Sequence, residues 1–296
     1  MVIIEYFQQF PTSYLVFVTL FSLLVGSFLN VVIYRLPVMM ERDWKKQCIE
    51  LLSEDKGCQC TPPDKPEKPF NLNVPRSTCP SCGHKITALE NIPLVSYFFL
   101  LKGKCSGCKT PISLRYPIIE FTTALLSLLV AWKFGVSWVA LFGILLTWAL
   151  ISLTMIDFDT MLLPDDITLP FLWIGLLLGV FGIFTDLQSS VIGAMVGYMS
   201  LWSVYQVFKL VTGKEGMGYG DFKLLAVFGA WFGYQYILLI IVLSSFVGAA
   251  VGITLILTLG RDKNIPIPFG PYLAAAGWIS MMFGNELMDF YFKTML

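Results

Sequence analysis

The sequence predicts an all-α polytopic membrane protein with about eight transmembrane helices and a small cytosolic domain, and three observations predict it. Of 296 residues, 56% are hydrophobic and only 14% are charged. The charge is concentrated, since residues 35–115 hold 13 of the 20 Lys and Arg while residues 1–34 hold none. Around that polar block, apolar stretches recur at lengths that suit a hydrocarbon layer about 30 Å thick. This composition argues against a soluble globular chain. The basic and acidic residues cancel at 20 each, so net charge gives no sign of a nucleic-acid partner.

The first span is 14–34. A signal peptide would carry a basic region before its apolar core and a small-residue cleavage site after it, whereas Glu5 precedes this core and Arg35-Leu36-Pro37 follows it. The segment is therefore expected to stay as an anchor, with its uncharged N-terminus outside and Arg35 onward in the cytosol. Residues 36–86 are charged, Pro-rich and Cys-rich without a sustained apolar period, which predicts a cytosolic insertion with a flexible part around Thr61 to Pro75. Ile92 to Leu101 is apolar but too short to cross, and is expected on the membrane surface or packed against other helices.

Seven further spans are expected near 117–134, 137–156, 166–184, 189–211, 222–233, 236–259 and 270–292. Lys209, Lys214, Lys223, Arg261 and Lys263 then fall at cytosolic ends, and Lys133 and Lys293 fall outside. The 222–233 piece is short for a crossing; Gly229 and Gly233 predict a broken or tilted helix beside a cavity. The organisation is thus a first transmembrane helix over 1–35, a cytosolic domain over 36–116 and a multi-helix membrane domain over 117–296.

The single histidine, His84, leaves no His-x-x-x-His metalloprotease helix and no membrane Ser-His dyad. All seven cysteines lie in the polar block. Cys79-Pro80-Ser81-Cys82 and Cys105-Ser106-Gly107-Cys108, with 22 residues between them, can wrap four thiolates around one Zn²⁺. Gly83 and Gly107 are expected to allow the tight turns of the two knuckles. Such a site is closed, hence structural, and makes the cytosolic domain a zinc-binding one; the competing reading is redox-active or merely free thiols. Cys48 and Cys58-Gln59-Cys60 complete no second site, and His84 is expected to be a polar neighbour of the metal, not a ligand.

Two acidic segments lie at the membrane edge: Asp157-Phe158-Asp159 through Leu163-Pro164-Asp165-Asp166, and Gly218-Tyr219-Gly220-Asp221. Both fall on the cytosolic side by the topology above. A carboxylate at membrane depth is costly unless paired, hydrated or protonated, which marks Asp157 and Asp221 as functional candidates. Two carboxyls sharing a water and a proton can serve as general base and general acid in amide hydrolysis, the chemistry of aspartyl proteases. Helix capping is the competing reading for Asp221, and it is the favoured one for Asp165 and Asp166 after Pro164. Asp159 is expected to be solvated, and Phe269-Gly270-Pro271 to start the last helix without a catalytic part. Gly218 and Gly220 flanking Tyr219 allow close approach of another chain, which a simple cap does not require.

Gly26-Ser27-Phe28-Leu29-Asn30 through Arg35-Leu36-Pro37, the two Cys-x-x-Cys pairs, Glu90-Asn91-Ile92-Pro93, Arg115-Tyr116-Pro117, the Asp157 segment and Gly218-Tyr219-Gly220-Asp221 together resemble the type IV prepilin peptidases. The resemblance covers nearly the whole chain. In that family the first catalytic aspartate stands six residues before an aliphatic-Pro pair, here Leu163-Pro164, which implies Asp157; the second belongs to Gly-x-Gly-Asp, which implies Asp221.

The resemblance implies a bifunctional enzyme of the bacterial inner membrane. It would cut the basic leader from type IV prepilins and type II secretion pseudopilins after a glycine at the cytosolic face. It would then N-methylate the new N-terminal residue, usually Phe, with S-adenosyl-L-methionine. The cofactors implied are Zn²⁺ at Cys79, Cys82, Cys105 and Cys108 and the methyl donor; the partners are the pilin substrates and the bilayer, with no nucleic acid. No Gly-x-Gly-x-x-Gly loop locates the methyl donor. Glu120 could pair with Arg115 or receive the substrate's amino terminus, and a structural part is favoured. Two other classes compete: a proton-coupled transporter using intramembrane aspartates, which would be expected to repeat its broken segment, and a thiol oxidoreductase.

Overall fold

The computed structural model describes residues 2–54, 69–259 and 267–295. Every regular element among them is helical: α1 (Val2–Gln9), α2 (Pro11–Glu54), α3 (Arg115–Phe134), α4 (Trp138–Thr160), α5 (Asp165–Val180), α6 (Leu187–Thr212), α7 (Tyr219–Phe232), α8 (Ile237–Leu259) and α9 (Gly270–Met295). Five helical stretches are long and apolar enough to cross a membrane, those of α2, α3, α4, α6 and Tyr234–Leu255, which makes the chain a multi-pass membrane protein. The five include neither α5 at 16 residues nor α7 at 14. Arg261, Lys263, Cys58 and Cys60 lie outside the described residues, as does the Thr61 to Lys68 part of the expected flexible segment.

Two compact units make up the chain, one of residues 19–125 and one of residues 1–18 with 126–296. In the first, α2 runs on past Pro37 to Glu54, into the stretch where a cytosolic insertion was expected from residue 36. Proline removes one backbone donor, but the stretch after it is rich in helix formers and carries a Glu41–Lys45 pair at 2.7 Å with i,i+4 spacing. Its many charges are the solvated surface of a helix and not the mark of a loop. Residues 69–75, expected to be flexible, are held to this helix: Arg35 Nη1 donates to Asn71 O at 2.8 Å and Nη2 to Pro75 O at 2.6 Å. The Arg42 guanidinium lies 4.4 Å over the Phe70 ring. A Cβ on Gly26 would stand 2.8 Å from Glu120 Cα, so this glycine lets α2 and α3 touch at the backbone, and Asn30 Nδ2 donates to Tyr116 O at 3.3 Å.

The second unit is built around α7. Phe222, Leu224, Leu225 and Phe228 are each 0% exposed and Trp231 is 1% exposed, so this helix is apolar all round and buried all round. At 14 residues it is about 21 Å long, short of the hydrocarbon thickness. It is an unbroken helix inside the unit, so of the broken or tilted helix expected the break is absent. Gly193 of α6 and Gly229 of α7 press backbone to backbone, and Trp231 Nε1 donates to Phe171 O of α5 at 2.7 Å. Capping sets the helix ends. Ser137 Oγ accepts the Ala140 amide at 3.1 Å to start α4, and Asp186 Oδ2 accepts the Ser189 amide at 3.0 Å to start α6.

Candidate active site and metal centre

Asp157 stands in the last turn of α4, which stops because Met161 turns left-handed (φ 54°) and its amide closes on Asp157 O at 2.9 Å. Asp221 stands in the first turn of α7, capped by the extended Gly218. The two aspartates are 5% and 7% exposed and lie close enough to interact electrostatically. The fold brings together two acidic side chains that are 64 positions apart in the sequence.

Three residues shape the space between them. Gly270, at the start of α9, donates its amide to Asp157 Oδ2 at 3.0 Å. A Cβ on Gly270 would stand 2.6 Å from that same oxygen and 3.1 Å from Leu163 Cδ2. Leu163 also fills the space beside Gly220, where a Cβ would meet Leu163 Cβ at 2.7 Å. The Leu163-Pro164 loop is thereby wedged between the two segments that bear on the aspartates. Gly270 is a site residue that sequence reasoning missed; it was read only as a helix start, and its single legible signal was a glycine beside a proline next to an apolar span.

Asp165 and Asp166 are in the first turn of α5, where Pro164 holds the cap position without a side-chain bond, so neither is the cap that was expected. Asp165 instead binds Lys223 Nζ with both oxygens at 2.7 Å, tying α5 to the first turns of α7. The loop ahead of α7 is secured by Lys209, whose Nζ lies 2.8 Å from Glu215 Oε1 and 3.4 Å from the Tyr205 hydroxyl. In the other unit, Glu120 is buried and its Oε2 accepts the Leu94 amide at 2.9 Å.

The four knuckle cysteines converge as their spacing predicts. Their sulfurs all lie within 4.8 Å of one another, with Cys79–Cys108 at 3.8 Å and Cys82–Cys105 at 3.9 Å. Tetrahedral Zn²⁺ with bonds near 2.3 Å requires sulfurs about 3.8 Å apart, so the donor set fits that ion in chemistry and in size. Each knuckle repeats one geometry. The Gly83 amide closes on Cys79 O at 2.9 Å and the Lys109 amide on Cys105 O at 3.0 Å, and both turn residues are left-handed (φ 72° and 62°). Gly83 does what was expected of it, whereas in the second knuckle the left-handed turn falls to Lys109. Gly107 is needed for room instead, since a Cβ there would stand 3.3 Å from His84 Cβ and 3.4 Å from Cys82 Sγ.

Hydrogen bonds prepare two of these sulfurs for a cation, whereas Cys82, although it accepts the His84 amide, is pushed up to about 11 by the neighbouring Cys108 thiol. The amides of Cys82 and Ser81 hold the Cys79 thiol below its usual pKa, and the Thr110 hydroxyl and amide bring Cys108 down to about 6. His84 is a neighbour, its Nε2 lying 3.2 Å from Glu90 Oε2 and 3.0 Å from Ser106 Oγ. Glu90 joins the two knuckles from between them. It accepts from Ser106 Oγ and from the Thr87 amide and pairs with His84, bonds that hold its carboxyl at about 2. Its sequence signal was the Thr87-x-x-Glu90 spacing of a capping box.

The profile described as Bacterial Peptidase A24 N-terminal domain matches residues 20–134, and that of the Type IV leader peptidase family matches residues 144–253. The chain is 53% identical over 294 residues to a prepilin leader peptidase/N-methyltransferase of Aeromonas salmonicida, covering 99% of both chains. It is 50% identical over 293 residues to the protein of that name from Pseudomonas aeruginosa, covering 99% of this chain and 98% of the other. A third, from Stutzerimonas stutzeri, is 50% identical over 290 residues and 98% of each chain. No solved structure matches.

Proposed function

Because the chain belongs to the type IV leader peptidase family and is a leader peptidase and N-methyltransferase, we propose that Asp157 and Asp221 perform its peptide-bond cleavage at the cytosolic membrane face. The observation that carries this reading is the convergence of two buried carboxylates at one end of α4 and α7, with a backbone amide of α9 on one of them.

In this mechanism a water between the carboxyls attacks the carbonyl carbon of the scissile bond. One aspartate takes the proton from the attacking water and the other, protonated, gives its proton to the departing nitrogen. The Gly270 amide fixes the plane of the Asp157 carboxylate, and Leu163 holds the separation between the two segments. Gly218, where a Cβ would meet nothing nearer than Asp221 Oδ2 at 3.9 Å, leaves room for an extended substrate backbone.

The substrates are type IV prepilins and type II secretion pseudopilins, whose basic leaders the positive-inside rule keeps in the cytosol while their apolar helices enter the inner membrane. The eight-span topology, with α5, α7 and α9 as crossings beside the five apolar stretches, puts both aspartates and the 36–116 domain on that side. Cys79, Cys82, Cys105 and Cys108 hold Zn²⁺, which supplies a structural crosslink and takes no part in bond breaking. S-adenosyl-L-methionine supplies the methyl group for the new amino terminus; the described residues form no cradle that we assign to it.

Incubating the lipid-reconstituted protein with a leader-bearing prepilin, with and without S-adenosylmethionine, and weighing the product intact tests both activities. The expected product has lost the leader, and carries one methyl only when the donor is present. An uncut prepilin with folded enzyme would overturn the assignment. A second expectation concerns Gly270→Ala. The added methyl group has no space beside Asp157 Oδ2, and displacing a reacting group by about 1 Å can cost on the order of 100-fold. Cleavage kcat should fall by about that factor with KM nearly unchanged; an unaltered kcat would show that the amide contact does not set the carboxylate.

A further inference from the structure

We propose that a cavity at the end of the 126–296 bundle opposite Asp157 and Asp221 binds a phospholipid with a phosphoethanolamine headgroup. The cavity holds about 220 Å³ and reaches from Val139 at the start of α4 to Phe232 at the end of α7, with α9 residues 280–286 along its side. Val139 and Asp157 are about 27 Å apart along α4 at 1.5 Å per residue, so it is separate from the aspartates.

Its polar side is made by an interruption in α9. Phe283 leaves helical geometry (φ −131°, ψ 16°), and the Lys133 ammonium bonds the Met282 carbonyl beside it. The same ammonium lies 2.7 Å from Glu286 Oε1 and 4.6 Å over the Phe283 ring. A cation and an anion thus stand side by side at the cavity, and the Glu286 side chain is 60% exposed. Ser280 also lines it. This residue is 5% exposed, and its hydroxyl has no hydrogen-bond partner, not even the preceding-turn carbonyl that a helical serine ordinarily finds. The Tyr236 hydroxyl donates to Asn285 Oδ1, which leaves the Asn285 amide hydrogens as donors. Opposite these groups the wall is apolar, with Phe134, Ile183 and Phe184.

The level of the cavity identifies its occupant as lipid. Trp132 and Trp138, on either side of the α3–α4 turn, are 73% and 63% exposed, as in the aromatic belts where a membrane protein meets the headgroup layer. A zwitterionic headgroup complements the ion pair. Its phosphate accepts from Lys133 and from the unpartnered Ser280 hydroxyl, its ammonium donates to Glu286, and the first acyl carbons lie on the phenylalanine wall. Ethanolamine offers three N–H donors to the carboxylate. Choline offers none, and glycerol carries no positive charge.

The test is native mass spectrometry of the protein released from nanodiscs containing equal amounts of phosphatidylethanolamine, phosphatidylcholine and phosphatidylglycerol with identical acyl chains. Retention of the ethanolamine lipid should exceed that of each of the others by about tenfold, equivalent to about 1.4 kcal/mol. Glu286→Gln, at an exposed position, should remove that preference. Ser280→Leu, which fills the cavity, should remove bound lipid of every kind, with leader cleavage reporting that both variants are folded. Equal retention of the three lipids by the parent protein overturns the proposal, and so does undiminished ethanolamine-lipid binding in Glu286→Gln.

Discussion

Asn in place of Asp157, or of Asp221, should leave a folded protein whose leader cleavage is at least about a thousandfold slower. Asn keeps the shape of the side chain, and its oxygen can still accept the Gly270 amide that reaches Asp157 Oδ2 at 3.0 Å. What it removes is the titrating proton, and with either residue changed the pair can no longer act as base and acid in turn. Because the two groups act as a unit, the double variant should be scarcely slower than either single one. The parent rate should follow a bell-shaped pH profile belonging to the pair, and any residual rate in a single variant should lose one limb of it. The measurement is initial cleavage rate on prepilin, with zinc content and thermal unfolding as controls. A folded single variant that cuts at the parent rate would remove that residue from the mechanism.

Loss of the metal should have an effect as large, on a different property. Structural zinc contributes on the order of 10 kcal/mol to small tetrathiolate folds. The segment 76–114 would depend on such an ion: among the described residues it has two isolated bridge pairs and two short helical turns, Leu89–Asn91 and Ser96–Leu100, as regular structure. Cys79→Ser or Cys105→Ser should reduce the metal from one per chain to near zero and open this segment to proteolysis. Methylation should be lost before cleavage, since the aspartates belong to the other unit. Metal analysis and limited proteolysis check this together, and a zinc-free variant with both activities intact would contradict a structural metal.

Much of this was legible in the sequence, for reasons specific to each part. The two Cys-x-x-Cys pairs could be read because a metal site is defined by ligand type and spacing, and their convergence to within 4.8 Å follows. Asp157 and Asp221 stood out because a carboxylate beside an apolar run is costly and therefore conspicuous. Gly270 was not conspicuous, since an amide that acts through a tertiary contact has no local pattern, and the capping-box spacing of Glu90 gave no sign of its bond to Ser106 in the other knuckle. The continuation of α2 through 36–54 was not foreseen, because a helix with solvated sides carries no sustained apolar period, and at α7 the glycines suggested a break or a tilt where Gly229 in fact serves close packing on Gly193. The turn expected of Gly107 falls to Lys109, because a left-handed turn position is fixed by the hydrogen-bonding frame and glycine is only its commonest occupant.

The backbone contact between Gly193 and Gly229 bears on how the enzyme can treat a helical substrate. With no side chain between them, α6 and α7 have no slack to slide or roll, and α7 is further fastened through Trp231 and through the Asp165–Lys223 pair. Asp221 is therefore mounted on a closely fastened helix. If it cuts as proposed, the deformation that exposes a peptide bond is expected to come from the peptide being cut. The pliability of the residues around the cut is then expected to weigh more in substrate choice than their chemical identity.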